Sequence, residues 1–310
     1  MKQEKIFPVS VRALNPKEMH AYAIQLTYSD GSIRNYYLKN FRTYEIPEEF
    51  DIDGLRLDVA YCLDHDFLRR LRSFCDSLKP DFFLVGETLH GDYNQWMNDS
   101  MLHSVTNYEC YKGLYSSFNS MNMFEINHSL LRQFGPDNWT LYKGKHLLCF
   151  VDNHDVTRIA SILTNEKHLP LIYGMLFGMP GIPCVYYGSE WGAKARKEEG
   201  DPALRACFDA PEWNDLSETI SQLSEIKKNS EALNYGSFRS VLLTNRQCIF
   251  ERKSEHERIY VAINADENSF HADFDAGCGT AQELITDTPH DFGGGTDLPG
   301  YSVAIWKMEH

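Results

Sequence analysis

The chain has 310 residues, 43% hydrophobic and 24% charged, with a formal net charge of −14. That much apolar material supports one large core or several smaller ones, and the acidic balance excludes a phosphate-backbone partner and suits a neutral ligand. No apolar run approaches the roughly 20 residues of a membrane span. The opening MKQEKIFPVS lacks an apolar signal core, so the expectation is a cytoplasmic protein with neither membrane nor nucleic acid as partner.

Residues 19–39 hold two aromatic-rich runs, HAYAIQLTY and IRNYYLK, around the sequence SDGS. Asp-Gly is a strong tight-turn signal, which predicts a β-hairpin inside an N-terminal β segment, 1–47. From residue 48 the character changes. Five short apolar runs follow: IDGLRLDVA (52–60), FFLVGE (82–87), SVTNYEC (104–110), HLLCFVDN (146–153) and GIPCVYYG (181–188). Between the first two, HDFLRRLRSFCDSL sets Phe67, Leu68, Leu71, Phe74 and Leu78 on one helical stripe, closed by Lys79-Pro80. LPLIYGMLFGM is a second helix candidate, and 216–229 a third. Strands alternating with helices predict parallel βα units over 48–233. Beyond residue 234 the runs at 238–243, 248–253, 258–265, 281–285 and 301–307 are separated by turn-rich stretches, including Gly293-Gly294-Gly295. That pattern predicts a small antiparallel β domain, 234–310.

Eight cysteines, at 62, 75, 110, 149, 184, 207, 248 and 278, form no CxxC pair. They read as small buried residues of a reducing compartment, with no metal, cofactor or disulfide framework expected. His65-Asp66 reads as a helix start, and Glu198-Glu199-Gly200 as a solvated loop.

The acids fall in a telling place. Alternation puts Leu55, Leu57 and Val59 on one face of the first run, and Arg56 and Asp58 on the other. Glu87 ends the second run, and FVDNHDVTR (150–158) carries the fourth into Asp152, Asn153, His154 and Asp155. Asp58, Glu87 and Asp155 thus stand at the C-terminal ends of three parallel strands, the rim on which barrels of βα units build active sites. Two such carboxyls suit a retaining glycosidase, which needs a nucleophile and a general acid. Arg56 would orient Asp58 and keep it ionised. Glu87, in an apolar run, has the setting of an acid, and His154 could hold a sugar hydroxyl. Any one of these acids alone fits a helix N-cap equally well. Tyr93, Trp96, Tyr108, Tyr111 and Tyr115 follow the strand ends, where aromatic faces stack on sugars or pack into the core; Trp191 is a similar candidate.

In that order GLRLD (54–58), GET (86–88) and DNHD (152–155) resemble three conserved segments of the α-amylase family of glycoside hydrolases, and GMPGIPCVYYGSEWG (178–192) resembles its last barrel strand and loop. The resemblance implies Asp58 as nucleophile, Glu87 as acid/base and Asp155 as transition-state stabiliser. It implies Arg56 and His154 as substrate-binding residues beside those acids, with an α-linked oligosaccharide or polysaccharide as partner; Asn153 in the same segment, and Trp96 and Tyr108 by residue type and place after the strand ends, are further substrate-binding candidates. It also implies an α/β fold: a (β/α)8 TIM-type barrel with a C-terminal antiparallel β-sandwich.

Departures from the family pattern set further expectations. Cys62 stands where many members carry His or Lys. The family's first conserved segment finds no counterpart, since Met123 occupies the place where the pair at 127–128 would need an Asp. No counterpart of the first three barrel strands or of the inserted domain is found either, and the 50 residues before Asp51 contain one histidine, His20. These departures predict an incomplete barrel joined near residues 40–48 to an N-terminal β segment, with weak or absent catalysis, self-association through open strand edges, and no support for the usual calcium. A binding or remnant protein of the same family is the alternative, and a barrel of unrelated chemistry the third.

Overall fold

The computed structural model describes residues 8–14, 23–28 and 33–37 as backbone, and 52–308 except Cys278. The expected hairpin turn, His20 and the join near 40–48 lie outside the described residues. The chain divides into two compact units, Met1–Leu55 with Asp66–Leu84, and Arg56–His65 with Val85–His310.

In the first unit, β1 (Pro8–Leu14), β2 (Ala23–Tyr28) and β3 (Ile33–Tyr37) form an antiparallel sheet in the order β1-β2-β3. The hairpin expected at 19–39 is therefore two strands of a three-stranded meander. The alternation of Val9, Val11 and Ala13 with Ser10 and Arg12 carries the added strand. Helix α1 (His65–Leu78) begins at the expected histidine and buries Leu68, Leu71 and Cys75. Phe67 is 41% exposed, so the buried stripe is narrower than the sequence pattern suggested.

The parallel strands begin at the division, which falls within β4 and β5, and continue through the second unit. After β4 (Gly54–Leu57) and β5 (Phe83–Gly86), β6 (Ser104–Val105) pairs parallel with β5. β7 (Leu148–Phe150) pairs parallel with β8 (Ile182–Cys184), and a parallel bridge from Thr106 to Leu148 joins β6 to β7. The strands lie side by side in chain order, as successive staves of a βα barrel do.

Between β6 and β7 stand two helices that the periodicity did not reveal, α2 (Tyr108–Ser120) and α3 (Phe124–Phe134). The buried stripe of α2 is Cys110, Gly113, Leu114, Ser117 and Phe118. Two of those five are small, non-hydrophobic residues, so a hydrophobic count misses the stripe. The small residues are there for contact: a Cβ on Gly113 would stand 3.3 Å from Ile126 Cδ1. Short helical segments α4 (Ile159–Ile162) and α6 (Asp201–Leu204) flank α5 (Leu169–Gly178), which is buried from Leu171 onward, as a helix apolar on all sides must be. α7 (Asp215–Lys228) is capped by Asn214, and α8 (Glu231–Tyr235) by Ser230. The 198–200 stretch, expected as loop, forms a 3-10 turn over Lys197–Glu199.

The C-terminal part forms a six-stranded antiparallel sheet ordered β14-β13-β16-β11-β10-β9, with a separate β12-β15 pair. Its strands are β9 (Ser237–Leu243), β10 (Gln247–Lys253), β11 (Arg258–Asn264), β12 (Phe270–Ala272), β13 (Thr280–Glu283), β14 (Thr288–Asp291), β15 (Thr296–Leu298) and β16 (Ser302–Met308). Tyr260, Phe292, Leu298, Trp306 and Met308 gather in its core. Among the described cysteines, Cys75, Cys110, Cys149 and Cys248 are buried, whereas Cys62 and Cys207 are exposed. Among the described residues no helix is long and apolar enough to cross a membrane.

Candidate active site

The backbone brings the first two acids together. Glu87 N–H donates to Leu57 O at 2.8 Å, and Ala60 N–H donates to Glu87 O at 2.9 Å. Just before Glu87 stands Gly86, where a Cβ would meet Leu102 Cδ1 at 2.4 Å and Ala60 Cβ at 2.7 Å. Only glycine permits this approach. Directly after Asp58, Val59 takes a left-handed backbone with φ +46°. For a β-branched residue that conformation is strained by about 1–3 kcal/mol, and such strain concentrates at functional sites. The turn also aims the Val59 N–H at Glu87 Oε2, 3.2 Å away.

Side chains then link all three acids. Arg56 pairs with Asp58 through Nη1, and its Nη2 stands 3.4 Å from Glu87 Oε1. Tyr108 donates its hydroxyl to the same Oε1 at 3.3 Å and accepts from Asn153 Nδ2 at 3.0 Å. The Asn153 Oδ1 in turn accepts the Asp155 N–H at 2.8 Å. His154 Nε2 lies 3.0 Å from Asp155 Oδ2, and Arg205 Nη2 lies 2.9 Å from its Oδ1. Seven of the eight residues named from the sequence thus share one continuous polar network. The eighth, Trp96, does not join it. Trp96 is 9% exposed and its indole N–H has no partner among the described residues, so a stacking face for sugar is not on offer there.

Exposure separates the two acids that matter most. The Asp58 side chain is 72% exposed, and that of Glu87 is 8% exposed. The Asp58 carboxylate is open to solvent; that of Glu87 is sheltered and held by three donors.

Tyr108 is placed by a lock beneath it. Asn107 follows β6, caps α2 by accepting the Cys110 N–H at 3.1 Å, and exchanges two hydrogen bonds with the Gln133 amide at 2.8 and 3.1 Å. Fixing the first residue of α2 fixes the tyrosine. Its ring packs edge-on to Phe150 at 4.9 Å. Burial pushes its phenol up to about 12, so it stays a donor at neutral pH. Of the other aromatics, Tyr93 is buried and stacked on Tyr142, while Tyr111 stacks on Phe150 and touches Tyr115. Trp191 packs edge-on to Phe208.

A second cluster, which the sequence did not disclose, holds the loop that bears Asp155. Asp152 is 1% exposed; its Oδ2 accepts from Ile159 N–H at 2.7 Å and from Ser189 Oγ at 2.8 Å, closing the loop on itself. Arg158, also 1% exposed, donates to Tyr187 O at 2.7 Å, Ser189 Oγ at 3.0 Å and Leu204 O at 2.9 Å. Its guanidinium sits over the rings of Tyr186, Tyr187 and Phe208, at 4.6, 5.3 and 5.7 Å. The signal available in sequence was the same polar run after an apolar strand, FVDNHDVTR, whose first acid and last base turn inward.

Comparison with known proteins settles the family. Residues 18–239 match the family model described as alpha amylase, catalytic domain. The chain belongs to the alpha-amylase family of glycoside hydrolases. It is 30% identical over 74% of its length to a cyclomaltodextrinase of Thermoanaerobacter pseudethanolicus, and 30% identical over 76% to a maltogenic alpha-amylase of Bacillus acidopullulyticus. It spans 40% and 41% of those two proteins. The crystal structure of an alpha-amylase from Geobacillus thermoleovorans, complexed with acarbose, is similar in fold at TM-score 0.74 and 20% identity, covering 91% of this chain and 67% of that one. The chain is therefore of the TIM-barrel class with a C-terminal antiparallel β domain, as the sequence implied.

Proposed function

We propose that this chain acts as a retaining α-glycosidase on an α-glucan or maltooligosaccharide, by hydrolysis or transfer. The observation that carries the reading is the unbroken network Asp58–Arg56–Glu87–Tyr108–Asn153–Asp155. The relatives named cyclomaltodextrinase and maltogenic alpha-amylase support the substrate class.

In this reading Asp58 attacks the anomeric carbon as the glycosidic C–O bond breaks, and Glu87 gives its proton to the departing oxygen. Water or a sugar hydroxyl then gives a proton back to Glu87 and displaces Asp58, restoring both carboxyls. Asp155 faces the positive charge that develops on the ring, and His154 beside it donates to a ring hydroxyl. Arg56 orients Asp58 while contacting Glu87. Arg56, Asn153, His154 and Tyr108 bind substrate. The cytoplasm is the proposed location.

A binding protein without turnover is the second reading. It is favoured by the five parallel strands, β4 to β8, among the described residues, against eight in a closed barrel. An incomplete barrel would leave strand edges open, with impaired catalysis and self-association as consequences. Turnover of maltoheptaose and of p-nitrophenyl-α-glucoside, with Asp58→Asn alongside, separates the readings. Turnover lost in the variant supports the enzyme; sugar binding without turnover in both supports the second reading. Neither binding nor turnover overturns both.

A further inference from the structure

The strands that lead into the catalytic rim have a second end. His146 and Leu147 precede β7, and Pro180 and Gly181 precede β8; there, facing away from Asp155 along the chain, lies a cavity of about 320 Å³. That volume is at the small end of ligand pockets, which run from about 300 to 1,000 Å³. Lys143, Lys145, His146 and Arg252 line it, and no Asp or Glu does. In a chain with 44 acidic against 30 basic residues, a wall with only basic ionisable groups is a local reversal of sign.

The reversal continues behind the wall. Arg252 is 1% exposed and Lys227 is 5% exposed. Both donate to carbonyls. Lys227 Nζ reaches Met179 O at 3.1 Å and Leu233 O at 2.9 Å; Arg252 reaches Gly178 O at 3.0 Å, Gly236 O at 3.0 Å and Ser237 O at 3.3 Å. All but Ser237, which opens β9, are carbonyls at the C-terminal ends of α5 and α8. A helix end offers about half a negative charge, and a five-residue helix less. Burial, with the Arg252 charge beside it, lowers the Lys227 amine to about 7, so an anion in the cavity would favour its charged form. Donors also remain: an ammonium has three N–H groups and a guanidinium five, and these hydrogen bonds use two and three. Burial lowers the His146 imidazole, and the charges of Lys227 and Arg252 lower it further.

The mouth of the cavity has two usable groups. Lys143 is exposed, its amine 3.4 Å from Pro136 O. The Lys145 amine is engaged by Asn94 and by Met97 O, so it supplies charge without a free hand. Tyr235 is 75% exposed at the rim, its ring edge-on to His146 at 5.5 Å. An amphipathic ring left open beside a cationic pit suits a ligand with a sugar face and an anionic end.

We propose that this cavity binds a phosphate group, carried on a hexose or free, separately from the glucan site. The phosphate oxygens take charge-assisted hydrogen bonds from Lys143 and from the remaining Arg252 N–H groups. A hexose, where present, lies on Tyr235. The occupant bridges the loop before β7 to α8 and β10, and so ties the start of a catalytic strand to the C-terminal sheet.

Calorimetric titration of the full chain with inorganic phosphate and with glucose 6-phosphate tests this, with sodium chloride at matched ionic strength and glucose as controls. The expected result is saturable binding of one equivalent of either phosphate, about tenfold or more weaker in Lys143→Glu. Tyr235→Ala is expected to weaken glucose 6-phosphate about fivefold and to spare inorganic phosphate; if both phosphates are spared, the ligand is phosphate itself. Heats no larger than those of chloride overturn the proposal, as does wild-type affinity in Lys143→Glu. Both substitutions are at exposed side chains, so loss of folding does not confuse the result.

Discussion

Asp152 and Asp155 sit three residues apart on one loop and meet opposite surroundings. Asp152 is sealed from water and spends its carboxyl on Ile159 of its own loop and on Ser189 beyond β8. Asp155 is 35% exposed at its side chain and its carboxylate meets His154 and Arg205, both partly exposed. The comparison teaches a division of labour. A buried carboxyl can fix geometry because nothing competes for it, whereas one left partly open to water has its position set by backbone and neighbours. The same contrast holds between Arg158, which is buried and structural, and Arg56, whose side chain is 34% exposed between two acids.

The largest expected effect lies in the network that Asp155 joins, at its sheltered acid. Glu87→Gln keeps the shape of the side chain and removes the transferable proton. For maltoheptaose the expected fall in kcat/KM is about 10²- to 10⁴-fold. For a p-nitrophenyl glucoside, whose leaving group needs little protonation, the first step is expected to fall far less. Equal losses on the two substrates would show that Glu87 is not the acid.

Next in size comes the buried half. Arg158→Met removes a cation that holds two carbonyls and the Ser189 hydroxyl, and leaves buried Asp152 without its nearest positive charge. Urea unfolding is expected to show a loss of about 3–5 kcal/mol, because several buried polar groups are left without their donor. A loss under about 1 kcal/mol would mean that the three rings around the guanidinium, and not its charge, hold the loop.

The pH dependence of Asp152 sharpens the same point. Burial raises its carboxyl to about 6, from 3.8 for a free side chain, against the opposing pull of Ile159, Ser189 and Arg158. Between those values the folded chain holds a proton that the unfolded chain has released. Stability therefore falls as pH rises from about 4 to about 6, and above that window the ionised form costs the fold about 3 kcal/mol. Asp152→Asn retains an acceptor for Ile159 and Ser189 without the charge. Relative to wild type, the variant is expected to gain up to about 3 kcal/mol between pH 4 and pH 7 in denaturant melts. A difference that does not move with pH would place the Asp152 carboxyl back in the ordinary range.

The same two clusters show how far the sequence could be read. Asp58, Glu87 and Asp155 were legible because strand alternation and strand ends are written locally, and family segments surround each of them. Helix α1 was legible because its stripe is made of large apolar residues. Helix α2 was not, since Gly113 and Ser117 occupy the buried stripe where close helix contact leaves no room for more. Trp96 was assigned to a sugar face by residue type alone, yet burial is decided by neighbours distant in sequence. Asp152 and Arg158 looked like part of the polar end of a strand; that they turn inward depends on Ser189, Tyr187 and Leu204, about 30 to 50 residues away. Short strands were missed at 270–272, 288–291 and 296–298, where three or four residues cannot display a period.

The smallest expected effect asks whether Asp155 owes its position to its ion partner or to its backbone. Arg205 Nη2 contacts both Asp155 Oδ1 at 2.9 Å and Asp201 Oδ2 at 3.7 Å, with 46% of its side chain exposed. An exposed pair of this kind contributes about 0–1 kcal/mol, so Arg205→Ala should leave thermal stability almost unchanged. Its effect on turnover depends on what aims the carboxylate. The Asp155 N–H is held by Asn153, Asn153 by Tyr108, and Tyr108 by the Asn107 lock. If that chain sets the geometry, Arg205 only damps the negative charge, and kcat/KM for maltoheptaose should stay within about fivefold of wild type, with the difference shrinking as salt screens the pair. A loss approaching that of Glu87→Gln would reverse the assignment, making the guanidinium, and not the asparagine, the group that holds Asp155 to the substrate.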